Sequence, residues 1–114
     1  MSFVRKIIPL NIDAESGDVN TQAFLIPDGS SKITAQFDYA LSADATLSVE
    51  QSTDGENFDP VLDIYGDAVT LILDKDLTSA TINLVNLLTL SLRFAVAFTA
   101  ESTGSINSII LLSN

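Results

Sequence analysis

Three carboxylates crowd one short segment: Asp54, Glu56 and Asp59 surround Gly55 in the run QSTDGENFD, from Gln51 to Asp59. Oxygen-rich spacing of this kind is calcium chemistry, because a hard cation takes carboxylate and carbonyl ligands. A carboxylate pair can also hydrolyse a glycosidic bond without help from His or Cys. Neither pattern is complete here. The twelve-residue calcium loop ends on a bidentate Glu that this spacing lacks, and the same holds for Asp13, Glu15 and Asp18. A glycosidase needs a groove with aromatic platforms, yet aromatics are 7% of the chain, Trp is absent, and Phe37, Tyr39, Phe94 and Phe98 take inward positions in alternating runs. Asp-Gly between two such runs is first a hairpin signal. Asp54, Gly55 and Phe58 are therefore read as a structural turn, with Phe58 returning to cap the core and Asn able to replace Asp54. Asp63 with Asp67, and Asp74 with Asp76, read as turn residues and gatekeeper charges.

The residue types that are missing narrow the chemistry further. The chain has no His and no Cys, so the usual general base, the commonest transition-metal ligand, thiolate sites and His-based triads are all absent. No catalytic residue, cofactor site or metal site is expected, and the chain is expected not to be an enzyme. Five Lys and Arg against fifteen Asp and Glu give a net charge of −10. Without a cationic cluster, nucleic acid and anionic membranes are poor partners. The longest apolar run, Phe94 to Phe98, falls far short of the roughly 20 residues of a membrane helix. Pro9 and Asn11 interrupt the apolar stretch after Arg5 and Lys6, so no signal peptide is expected.

The elements that position these groups follow a period of two. Residues 32–41 alternate Ile33, Ala35, Phe37, Tyr39 and Leu41 with polar positions, residues 45–52 do the same with Leu47 and Val49, and Leu92, Phe94, Val96 and Phe98 form a third buried row. Such runs are strands with one wet face. Further strands are expected at 3–12, 22–26, 57–64, 68–73, 80–85 and 105–112. Turn chemistry separates them at 15–18, 27–30, 42–44, 53–55, 65–67 and 102–104, where Gly, Asp and Ser tolerate the required backbone and Pro27 presets a turn. The stretch Leu84–Leu90 (LVNLLTL) is ambiguous and has room for one helical turn. With 114 residues, one core and one domain over 1–114 are expected. The pattern predicts an all-β, single-domain antiparallel β-sandwich or jelly roll of about eight or nine strands.

Several strands are apolar on both sides. Val69, Leu71 and Leu73 alternate with Ile72, and Ile109-Ile110-Leu111-Leu112 has no polar side. Either loops cover the outer faces of a tightly closed sandwich, or an outer face is buried against another subunit. The second reading makes Leu71, Ile72, Leu73, Leu87, Leu88, Ile109 and Leu111 candidate interface residues and predicts a homo-oligomer. Arg93, between Leu92 and Phe94, reads as a solvated or edge-pairing charge.

As a pattern, Leu47-x-Val49-x-x-Ser52-x-Asp54-Gly55-x-x-Phe58 resembles the S-x-D-G-x-x-[WF] hairpin of discoidin-like β-sandwich domains. It resembles more closely a group of small bacteriophage structural proteins, in which a Leu-Arg-aromatic strand, a Thr/Gly-rich turn and a closing strand follow. Leu92-Arg93-Phe94, Ser102-Thr103-Gly104-Ser105 and Ile106-Asn107 through Ile110 stand in that order. The resemblance covers residues 33–112. It implies a virion structural protein, a head decoration or auxiliary capsid protein made in the host cytoplasm, whose partners are its own copies and the major capsid protein. A tail or baseplate component is the nearest variant. A carbohydrate-binding module is the alternative of another class, although the aromatic or basic ligand spikes of discoidin-like loops are missing here.

Overall fold

The computed structural model describes residues 3–21, 23–26, 32–84 and 91–113. Period-two alternation becomes eight strands among them: β1 (Phe3–Asn20), β2 (Phe24–Leu25), β3 (Lys32–Leu41), β4 (Ala45–Ser52), β5 (Asp59–Pro60), β6 (Thr70–Leu73), β7 (Ser79–Leu84) and β8 (Ser91–Ser113). Every pairing is antiparallel. No helix occurs among the described residues. The domain is an all-β antiparallel sandwich.

Two long strands build both layers. The first half of β8 pairs with β4, from Ser91↔Ser52 to Phe98↔Ala45. Its second half pairs with β3, from Gly104↔Leu41 to Ser113↔Lys32. β1 follows β8 along its other side, with residues 3–12 against 113–104 and residues 17–20 against 98–95. One sheet therefore runs β7–β3–β8–β1, and the other runs from β5 and β6 through β4 and β8 to β1 and β2. Where the ladder passes from one layer to the other, β1 slips register between Ile12 and Glu15 and again between Glu15 and Gly17. Bulges of this kind let a strand turn a corner.

The corner in β8 is pinned from the β3–β4 turn. Ser42 N donates to Thr103 O at 3.1 Å, and Thr103 N donates to Ser42 Oγ at 2.9 Å. Gly104 has φ +135°, and a Cβ there would overlap the Ala40 carbonyl oxygen. Only glycine fits this close approach.

The core lies between the layers and follows the alternation. Ile33, Ala35, Phe37, Tyr39 and Leu41 of β3 face Leu47, Val49, Leu92, Phe94 and Val96 of the other sheet, all buried. Phe37 meets Phe94 edge to face at 5.0 Å between centroids, and Phe24 meets it from the side at 6.0 Å. Each such side chain contributes roughly 1.5–3 kcal/mol by burial. The Tyr39 hydroxyl crosses between layers and donates to Asp74 O at 3.1 Å. Burial first, and the charge of Asp74 next, raise its pKa, so it stays a donor.

Four expectations need correction. The turn at 15–18 is the bulged corner of β1, and the turn at 102–104 is the corner of β8; both strands continue through. The strand expected at 57–64 shrinks to Asp59–Pro60. Leu73 is fully buried in the core and offers no surface. The turn at 27–30 and the possible helical turn after Leu84, with Leu87 and Leu88, lie outside the described residues.

Candidate functional site

The 52–58 segment is a polar loop held by its own side chains. Asp54 Oδ1 accepts from Glu56 N and Asn57 N, both at 2.8 Å, and its Oδ2 accepts from Asn57 Nδ2 at 2.7 Å. The Ser52 hydroxyl donates to Asp54 Oδ1 and accepts from Gly55 N, each at 2.8 Å. These donors, the Asn57 and Glu56 amides first, hold the Asp54 carboxyl well below the usual carboxylate range. Gly55 takes φ +81°. Asp54 and Gly55 are thus committed to the loop itself. An Asn at position 54 would set an amide group against Asn57 Nδ2, so Asn is a poorer replacement than the turn pattern suggests.

Phe58 does not cap the core. It is half-buried, with the Arg93 guanidinium 4.1 Å from its ring centroid. Arg93 Nε donates to Glu50 Oε1 at 2.7 Å, its partner across the β4–β8 ladder. Arg93 stands on a central strand, not at an edge. Cation–π contact and ion pair together clasp the loop to the outer face of the sheet.

The described residues contain no cluster of ligating side chains that could hold a metal ion; side chains of Asp13 and Glu15 are not described. The candidate interface residues divide by the pleat. On the β8 end, Ile110 and Leu112 are core while Leu111 is 39% exposed and Ile109 is half-buried. On β6, Leu71 packs partly against the core and Ile72 is 68% exposed. Ile7 of β1, 61% exposed, stands opposite Ile109 in the ladder. Ile7, Ile109 and Leu111 share the outer face of the β3–β8–β1 sheet.

A second feature was hidden in the supposed strand 57–64. The chain leaves β4 at Val61, whose N donates to Val49 O at 2.9 Å, and rejoins it at Thr70. Between these points it forms a small hairpin of its own, closed by the Leu62↔Ala68 bridge. Asp63 N donates to Asp67 O at 2.8 Å and Gly66 N donates to Asp63 O at 3.1 Å. Asp63 Oδ1 accepts from Tyr65 N at 2.9 Å and Asp67 N at 3.1 Å. At the tip, Ile64 is 91% and Tyr65 82% exposed. A D-x-x-G turn with large apolar residues at its two central positions is the sequence signal for such a tip, since those positions face solvent in any turn.

No protein-family model matches the chain, and no curated protein matches it by sequence. Solved structures are similar in fold. The subunit of Bacillus endospore appendages, a disulfide-linked pilus family, superposes with TM-score 0.53 at 12% identity over 98% of this chain and 88% of that one. The SPBc2 prophage-derived protein YomS gives 0.51 at 8% identity over 95% of each chain. The C-terminal CBM6 of LamC, a laminarinase of Zobellia galactanivorans, gives 0.52 at 14% identity over 96% of this chain and all of that module. At these identities the likeness is one of β-sandwich architecture.

Proposed function

We propose that the chain is a non-enzymatic structural subunit of a bacteriophage particle, a head decoration or auxiliary capsid protein that works through the surfaces of its sandwich. One observation carries this reading: large apolar side chains stand outward on well-built elements, with Ile7 and Leu111 on one sheet, Ile72 on the other, and Ile64 and Tyr65 on a hydrogen-bonded tip. Exposed apolar groups that the fold does not need are what contact surfaces are made of. The sequence resemblance to phage structural proteins supports it, as does a fold shared with a prophage-derived protein of matching extent. Its partners would be further copies of itself and the major capsid protein, in a virion assembled in the host cytoplasm; a tail or baseplate position is the variant. The net charge of −10 argues against nucleic acid and anionic membranes. Purified protein should be retained on phage particles that lack it, and failure to bind heads or tails would overturn the proposal.

Tyr65 favours one second reading. A ring this exposed, between Asp63 and Asp67, has the amphipathic character that stacks on a sugar, and a carbohydrate-binding module shares the fold. Glycan titration followed by amide NMR decides: shifts centred on residues 62–68, lost in Tyr65→Ala, would establish it.

A further inference from the structure

Two exposed apolar features of the chain carry opposite charge around them. The hairpin tip sets Ile64 and Tyr65 between Asp63 and Asp67, both exposed carboxylates, and Leu62 adds 56% exposure at its base. The outer face of the β3–β8–β1 sheet sets Ile7, Ile109 and Leu111 at the end where Lys32 and Arg5 stand. Lys32, exposed, starts β3 on the same face as Thr34, which stands opposite Leu111. Arg5 stands opposite Leu111 on β1. Two of the chain's five cations, Lys32 and Arg5, thus take register positions on this face beside Leu111. Elsewhere on the described surface Arg93 is paired to Glu50.

We infer that the tip of one copy docks on this face of the next copy, so that the subunits associate head to tail. The inference rests on the structural-subunit reading above and specifies its self-contact. Apolar groups meet apolar groups, and an acidic rim meets a basic one in a chain whose overall charge otherwise drives copies apart. The tip belongs to the edge of the β4 sheet and the receiving face to the other sheet. The contact is therefore between unlike surfaces, and each subunit keeps one free tip and one free face. Such contacts close into rings or extend into filaments rather than stopping at a symmetric dimer. The tip is small, so a single contact is weak, and repetition in a closed ring or on a particle raises its effective strength.

Sedimentation velocity from about 10 µM to about 1 mM spans the affinities such a contact supports. Wild-type protein should associate progressively. A tip variant, Ile64→Ser with Tyr65→Ser, and a face variant, Ile7→Asp with Leu111→Asp, should each lose association by about tenfold or more while keeping the wild-type melting temperature. All four positions are exposed, so folding should survive; Lys32→Glu offers a milder face variant. The decisive arm is mixing. The tip variant retains a competent face and the face variant a competent tip, so an equimolar mixture should form a one-to-one dimer and nothing larger. A monomeric wild type at the highest concentration, either variant associating like wild type, or a mixture that stays monomeric would each overturn the inference. Particle retention is read separately. Retention without self-association leaves the structural-subunit reading standing and removes this one, whereas self-association without retention does the reverse. Glycan binding at the tip of a monomer overturns both.

Discussion

The loop 52–58 and the hairpin 62–68 use the same device for opposite display. In each, one aspartate collects backbone amides: Asp54 from residues 56 and 57, Asp63 from residues 65 and 67. Each contains a glycine at nearly the same positive φ, +81° at Gly55 and +83° at Gly66. The first presents Thr53, Glu56 and Asn57 to water, while the second presents Ile64 and Tyr65. Turn construction consumes the Asp and the Gly, and in the first loop the side chains of Ser52 and Asn57 as well, and leaves the remaining positions free. Polar residues at free positions call for no explanation, whereas an isoleucine and a tyrosine there do. The first loop is thus explained by its own hydrogen bonds and its clasp on Arg93, and the second is not explained by folding.

Substitutions test that division, and Gly104 sets the upper end of the scale. Gly104→Ala drives a methyl into the Ala40 carbonyl and should cost about 3 kcal/mol or more, measured by urea unfolding. Gly55→Val and Gly66→Val meet no neighbour within 4 Å, so only backbone strain acts. Each should cost about 1–3 kcal/mol, and the two should agree. A large disparity would break the claim that the turns are built alike.

Acid sharpens the contrast at Asp54. Its folded pKa is depressed by donors, so its contribution is complete above the unfolded carboxylate value of about 4. It is lost as pH falls below that value toward the folded one. Asp54→Asn should lower the melting temperature at pH 7 and approach wild type near pH 2; a deficit unchanged over that range would show that the ionised carboxylate is not what matters. The smallest effect belongs to the tip. Ile64→Ser with Tyr65→Ser should leave the unfolding free energy of dilute monomer within about 0.5 kcal/mol.

Strands with an uninterrupted period of two were legible from sequence. β3 and β4 match residues 32–41 and 45–52, because β3 alternates apolar and polar residues to its end and β4 does so as far as Val49. The bends in β1 and β8 were not. Gly and Ser mark any departure from a flat strand, and Ser102-Thr103-Gly104 looks alike whether the chain reverses or only turns a corner. The difference lies in partners distant in sequence, β4 before the corner and β3 after it. Asp54 and Gly55 were legible as a turn for the same local reason. Phe58 was misplaced because its partner, Arg93, comes from another strand, and Ile64 was absorbed into a strand because its apolarity outweighed the D-x-x-G pattern around it.

The path of β8 also dictates an order of events. β3 and β4 are joined by a tight turn, yet they face each other across the core and each pairs with β8, which follows both in sequence. β1 pairs with β8 across the greatest separation in the chain, Phe3 with Ser113. The β4 layer lacks its central strand until residues 91–98 are made, and the β3 layer lacks its own until synthesis has passed residue 113. Before β8 is made, only the outer pairings, β3 with β7 and β4 with β5 and β6, have both partners, and long-range pairing of the kind β8 makes folds slowly. Once β8 docks, both layers gain their middle together, so hydrogen exchange in the two should report one opening event rather than two.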